Sequence, residues 1–209
     1  MLIGSLLLVT SLCAQCGPSV EPSTTKAIIQ VESGGNPYAI GDNTLKKSFF
    51  PKSKEEAVRL ADYLLSQGHN LDMGLMQVNS CHLKAGNFPL DDLFDPCRNI
   101  AIGTGILSDF YRKNDRGEAR NVVLFKALSA YNTGSAWRGP GYINRILKAA
   151  GAPYRVTVTN PPPARKEKTV SANGARDFRR KAAGSDSQAP DSTTLFFPGT
   201  GRGGEAKGL

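Results

Sequence analysis

Glu32 is the residue best placed to do chemistry in this chain. It follows Ile28 by four positions and Val31 by one, so on a helix through TTKAIIQVES it projects beside the apolar face. It also falls in the last turn, where the negative end of the helix dipole disfavours a carboxylate. Partial burial and the helix end both push its pKa upward. A carboxyl still protonated near neutral pH is the group a general acid needs, for instance to protonate a glycosidic oxygen. The competing reading is a helix-end Glu turned out to solvent.

A second carboxylate would extend that chemistry to a nucleophile or to water activation. Asp42 and Asp72 are the candidates, but Asp42-Asn43 and Asn70-Leu71-Asp72 both read as turns, which favours capping roles. Metal chemistry finds no support. Two His and four Cys offer no zinc spacing, and His69 and His82 stand alone, as turn or surface residues. Cys13 and Cys16 make one CxxC at the edge of an apolar run, without the βαβ pattern of a redox domain. Neither a metal nor a cofactor is expected.

The elements that must position Glu32 are helices. Ser23 can cap the helix that carries it, and Gly34-Gly35-Asn36-Pro37 ends it. Ser53-Lys54-Glu55-Glu56 forms a capping box before Ala57, Leu60, Ala61, Leu64 and Leu65, and Gly68 closes that helix. Asp95-Pro96 opens a third, with Ile100, Gly103, Leu107, Phe110 and Tyr111 along one side. Two more are expected over about 118–131 and 141–150. Strand-like alternation is almost absent apart from Val156-Thr157-Val158, so the fold reads as all-α.

Three segments, ESGGNP at 32–37, GLMQVN at 74–79 and AYNTG at 130–134, are followed by Tyr142. In this order they resemble the lysozyme-like catalytic domain of lytic transglycosylases, over about residues 16–150. The resemblance is nearest to the specialised transglycosylases of type IV secretion and conjugative transfer systems, which share NPYAIG, GHNLDMGLMQVNS, Cys16 and Asp95-Pro96-Cys97. It implies that Glu32 is the single acid/base. Ser33, Gly74, Met76, Gln77, Asn79, Tyr131, Asn132 and Tyr142 would then bind sugar, with the Tyr131 hydroxyl able to orient the Glu32 carboxyl. Asn36 reads equally as a helix-stop residue. Gly41 departs from the broader pattern, which often carries Ser there, so a hydroxyl contact at that point must come from elsewhere.

The same resemblance implies a reaction that needs one carboxyl. The N-acetyl oxygen of the muramoyl sugar stabilises the developing cation, and Glu32 then removes the proton from that sugar's O6. Ring closure gives a 1,6-anhydromuramoyl end of the cleaved MurNAc-GlcNAc β-1,4 bond. It further implies a Cys16–Cys97 disulfide, with Cys81 left as a free thiol or an alternative partner.

The remainder of the chain bounds the setting. With 209 residues and 40% hydrophobic residues, one domain with an appendage is expected, and no apolar run is long enough to span a bilayer. Residues 2–12 have the length of an export signal, so 1–15 is read as a leader and the protein as periplasmic; a buried first helix, or an uncleaved membrane attachment, is the alternative. The domain is set at 16–154. Residues 155–209 carry 10 Lys and Arg against 5 Asp and Glu, with 5 Pro and 7 Gly, and read as a disordered basic tail. Basic charge without regular aromatic interleaving gives little support for nucleic-acid binding. The expected partners are peptidoglycan strands and the components of a secretion or conjugation machine. Two other functions stay open: a lysozyme-like hydrolase, and an idle wall-binding scaffold, against which the presence of Glu32, Gln77, Tyr131 and Asn132 counts.

Overall fold

Several helix starts and stops follow local chemistry in the computed structural model, which describes residues 2–153 and 155–157. Helix α1, Leu2–Cys16, leads into α2, Pro22–Glu32. The cap of α2 is Glu21 rather than the expected Ser23: its carboxylate accepts from the Ser23 and Thr24 N–H groups, with Pro22 at the first helical position. Ser53 caps α3, Lys54–Ser66, by accepting from the Glu56 N–H, while Glu56 reaches back to the Lys52 N–H at 2.8 Å. Asp95 accepts from the Arg98 N–H at the head of α5, Pro96–Asn114. Between them lie a short α4, Cys81–Gly86, and a 3₁₀ turn, Leu90–Phe94. Helices α6, Arg120–Thr133, and α7, Pro140–Ala149, complete the helical set among the described residues, and Gly134 in the left-handed region stops α6.

The all-α expectation holds for the bulk of the domain, with one addition. Four short antiparallel strands form a sheet in the order β2-β1-β3-β4: Lys47–Phe49, Ile40–Asp42, Leu71–Met73 and Val78–Asn79. Strands of two or three residues are too short to display alternation, so periodicity could not find them. Val156-Thr157, the one run that did look strand-like, is irregular, and Val158 lies outside the described residues. The expected tail likewise lies outside them, Arg155–Thr157 excepted.

One core unites these layers. Ile28, Leu71, Met73, Met76, Ile100, Leu107, Leu124, Leu128 and Ile146 are all fully buried and drawn from sheet and helices alike. Helix α1 packs on α2 and α5, with Cys13 fully buried and Val9 and Leu12 against the core, the arrangement that the alternative reading of this segment anticipates. At its end Cys16 is bonded to Cys97, with a Cα–Cα distance of 5.2 Å. Closing an 81-residue separation contributes about 4 kcal/mol through the entropy removed from the unfolded chain. Among the described residues no helix is long and apolar enough to cross a membrane.

Candidate active site

Glu32 is the last residue of α2, and Gly34 and Gly35, both at positive φ, turn the chain away behind it. Its side chain therefore overhangs a small polar cleft of about 80 Å³, lined also by Asp72, Gln77, Val78, Asn79, His82, Ile106, Tyr131 and Asn132. Tyr142, 3% exposed on α7, donates its hydroxyl to Glu32 Oε1 at 2.5 Å. Arg145, three positions on, places its guanidinium 5.6 Å from the centre of the Tyr142 ring. Loss of water is the largest influence on the Glu32 carboxyl. Together with the Asp72 charge it outweighs the Tyr142 hydrogen bond and Arg145, and the pKa rises to about 7. The Tyr142 hydroxyl keeps its proton, since burial and the Glu32 carboxylate push its pKa well above the usual value.

The orienting hydroxyl is thus Tyr142, and the expectation for Tyr131 is corrected. Tyr131 donates instead to the Met76 carbonyl at 2.8 Å, bracing the opposite wall. That wall is the 74–77 turn, and it is clamped from several sides. Gly74 has φ 77, and a Cβ there would lie 2.1 Å from the Leu93 carbonyl oxygen and 2.3 Å from Asn99 Nδ2, so only glycine fits. Asn99, almost fully buried on α5, donates to the Met73 and Leu93 carbonyls at 2.9 Å and accepts from the Met76 N–H at 2.8 Å. Ser33 donates to the Leu75 carbonyl at 2.8 Å, which ties the end of α2 to the turn.

Of the expected sugar-binding residues, Gln77, Asn79, Tyr131 and Asn132 therefore line the cleft beside Glu32. Ser33, Gly74 and Met76 do not: Ser33 and Gly74 shape the wall, and Met76 is fully buried against Gly103. Gln77 donates its amide to the Gly74 and Ala39 carbonyls. A Cβ on Gly41 would meet Gln77 Oε1 at 3.0 Å, so the departure at Gly41 leaves that amide its room. Asn36 accepts from the Tyr38 N–H within the turn after α2, the helix-stop role.

Sequence reasoning missed Arg145 and misplaced Asp72 and His82. Asp72 is a strand residue of β3 facing Glu32, not a turn residue; it accepts from Asn79 Nδ2 and Asn43 Nδ2, each at 2.7 Å. His82, expected on a turn or the surface, lines the cleft from α4, where burial first and the Lys113 charge second hold its pKa below the usual value. Arg145 lies too far along the chain for spacing to connect it with Glu32. Asp42 keeps its expected turn role, accepting from the Thr44 and Leu45 N–H groups. It also meets His69 Nδ1 at 2.6 Å, so His69 is not alone. Burial would raise the Asp42 pKa, but hydrogen bonds from Leu45, His69 and Thr44 outweigh it and hold it below the usual range.

Chemically, the cleft offers one carboxyl able to exchange a proton near neutrality, with one fixed carboxylate opposite. Among the described residues no cluster of His, Cys, Asp or Glu is arranged to hold a metal. A larger cavity of about 270 Å³, bounded by Val122, Phe125, Trp137 and Ile143, contains no carboxylate and shares no residue with the cleft.

A mostly helical domain with one such acid at a helix end places the chain in a defined class. It belongs to the transglycosylase SLT domain family, whose model matches residues 11–140. It is 34% identical over 138 residues to Protein virB1 of Agrobacterium fabrum, spanning 65% of this chain and 56% of that protein. It is 32% identical over 202 residues to the Type IV secretion system protein virB1 of Brucella abortus, spanning 91% of this chain and 84% of that one. It is 28% identical to the Invasion protein IagB of Salmonella typhimurium over 66% of this chain and 69% of the relative. No solved structure matches it significantly.

Proposed function

We propose that the protein is a peptidoglycan lytic transglycosylase that opens the cell wall locally for a type IV secretion or conjugation apparatus. The observation that carries this reading is Glu32, poised near pKa 7 and fixed by Tyr142 in the cleft. Protonated Glu32 gives its proton to the oxygen between MurNAc and GlcNAc as that bond breaks. The muramoyl N-acetyl oxygen and the Asp72 carboxylate face the developing positive charge. Glu32, now ionised, takes the proton of the muramoyl O6, and that oxygen closes on C1 to give the 1,6-anhydro end. Gln77, Asn79, Asn132 and Tyr131 hold the sugars in register.

In this reading residues 1–15 serve as the export leader, 16–154 as the catalytic unit in the periplasm, and 155–209 as an appended tail. Left uncleaved, that leader packs through Leu12 and Cys13 into the core as α1 and keeps Cys16 bonded to Cys97. The disulfide suits an oxidising compartment. The similarity to virB1 proteins over most of the chain supports the link to a secretion machine.

Asp72 favours one second reading, a lysozyme-like hydrolase, because it puts another carboxylate across the cleft from the acid. Digestion of purified walls in ¹⁸O-water separates the two by mass. Anhydromuramoyl ends without label are expected; label at C1 would give the hydrolase reading the site.

A further inference from the structure

The β1–β2 hairpin and the residues that follow it form a surface that the cleft does not use. Residues 45–54 read LKKSFFPKSK: four Lys and no acidic residue in ten positions. Four large hydrophobic side chains are exposed among the described residues, and two of them, Leu45 at 53% and Phe50 at 67%, fall here. Lys46, Lys47 and Lys52 are exposed and take part in no ion pair among the described residues; Lys47 lies 5.2 Å from the centre of the Phe49 ring. Strand β2 is the outer edge of the sheet. At the turn Lys46 is held at φ 55, in the region that Gly or Asn takes at little cost. A lysine in a strained backbone position points to a use for its charge.

From this edge we infer that the protein docks on an anionic phospholipid surface, with Leu45 and Phe50 entering the interface and Lys46, Lys47 and Lys52 meeting the headgroups. Charge selects an anionic partner, and the apolar pair selects one with a hydrocarbon layer beneath its charge. A protein partner fits less well. The patch offers two exposed large apolar side chains, against the roughly 20–30 residues a side that a stable interface uses. Strand addition is poorly served by a three-residue edge followed at once by Phe50 and Pro51, since proline lacks the N–H that a further rung needs. Strand β2 lies two strands from β3, about 10 Å, so docking by this edge would set the height and orientation of the cleft over the membrane.

Sedimentation of the full chain with vesicles of phosphatidylglycerol and phosphatidylcholine, against phosphatidylcholine alone, tests this. Binding is expected only with the anionic lipid and should weaken as salt is raised. Leu45→Ser with Phe50→Ser leaves every charge in place, the basic tail included, and both side chains are exposed, so the fold is kept. This variant should lose at least tenfold in partitioning. Lys46→Gly relieves the backbone and should keep the melting temperature while weakening binding about fivefold. Wild-type partitioning by the Leu45/Phe50 variant would overturn the inference and move the contact to the tail or α1. Equal failure of the wild-type protein on every vesicle would overturn it in favour of an acidic protein partner. None of these readouts depends on wall cleavage.

Discussion

Glu32 holds its proton near neutrality because its carboxyl is largely withdrawn from water at the end of α2, and this has a cost. Its pKa is near 7 in the fold against about 4.5 for the free side chain. Below pH 4.5 both folded and unfolded chains are protonated and nothing is lost. Above pH 7 both are ionised, and the buried charge destabilises the fold by about 3 kcal/mol. Glu32→Gln should therefore lower wall cleavage by a hundred- to ten-thousandfold while raising the melting temperature more at pH 8 than at pH 4. Turbidity clearance and thermal unfolding at the two pH values check both halves.

The neighbours of Glu32 make opposite predictions. The proposed reaction starts from the protonated acid, so activity should fall on the alkaline side as Glu32 ionises, with a midpoint near its pKa of about 7. Tyr142→Phe removes a hydrogen bond that favours the carboxylate, so the alkaline limb should move to higher pH. Asp72→Asn removes a negative charge that favours the acid, so the limb should move to lower pH. Full pH–rate profiles of the two variants decide this. Shifts in the same direction would contradict the electrostatic account.

At the scale of elements, the site depends on a helix end held against a turn. Helix α2 delivers Glu32, α7 delivers Tyr142 and Arg145, and the 74–77 turn supplies the facing wall. Asn99 is the buried bracket between that turn and α5, since its amide hydrogen-bonds two carbonyls and one N–H there. Asn99→Ala would remove three buried hydrogen bonds. A loss of about 3 kcal/mol is expected, read by urea denaturation, with a fall in cleavage from the misplaced Gln77. Gln77→Ala, by contrast, should impair cleavage with a smaller loss of stability.

For the molecule as a whole, contacts of the helical domain reach slightly beyond the boundary that composition gives. Asn144 on α7 exchanges two hydrogen bonds with the Val156 backbone, at 2.7 and 2.9 Å, and Val156 packs against the core. A chain ending after Thr157 should fold and cleave like the full protein. One ending after Tyr154 should be less stable by about 1–2 kcal/mol, because Asn144 loses both partners. Melting temperatures of the two truncations, measured side by side, locate the boundary.

Much of this was legible in the chain alone, because it is written locally. Helix limits follow from caps and stops that lie within a few residues of one another, as at Ser53 with Glu56, Asp95 with Pro96, and Gly134. Glu32 could be singled out because its two perturbing influences, the apolar face and the helix end, belong to its own helix. The Cys16–Cys97 pairing came only through the resemblance to a family, for nothing in the spacing joins residues 81 apart. What tertiary structure alone decided involves partners distant in sequence. Tyr142, 110 positions from Glu32, rather than Tyr131 orients the acid; Asp72 faces the cleft because β3 pairs with β1; and Asn99 reaches under a turn 23 residues away. Strands of two or three residues carry no period, and a hydrogen bond across the fold leaves no mark on either neighbourhood, so only packing could reveal them.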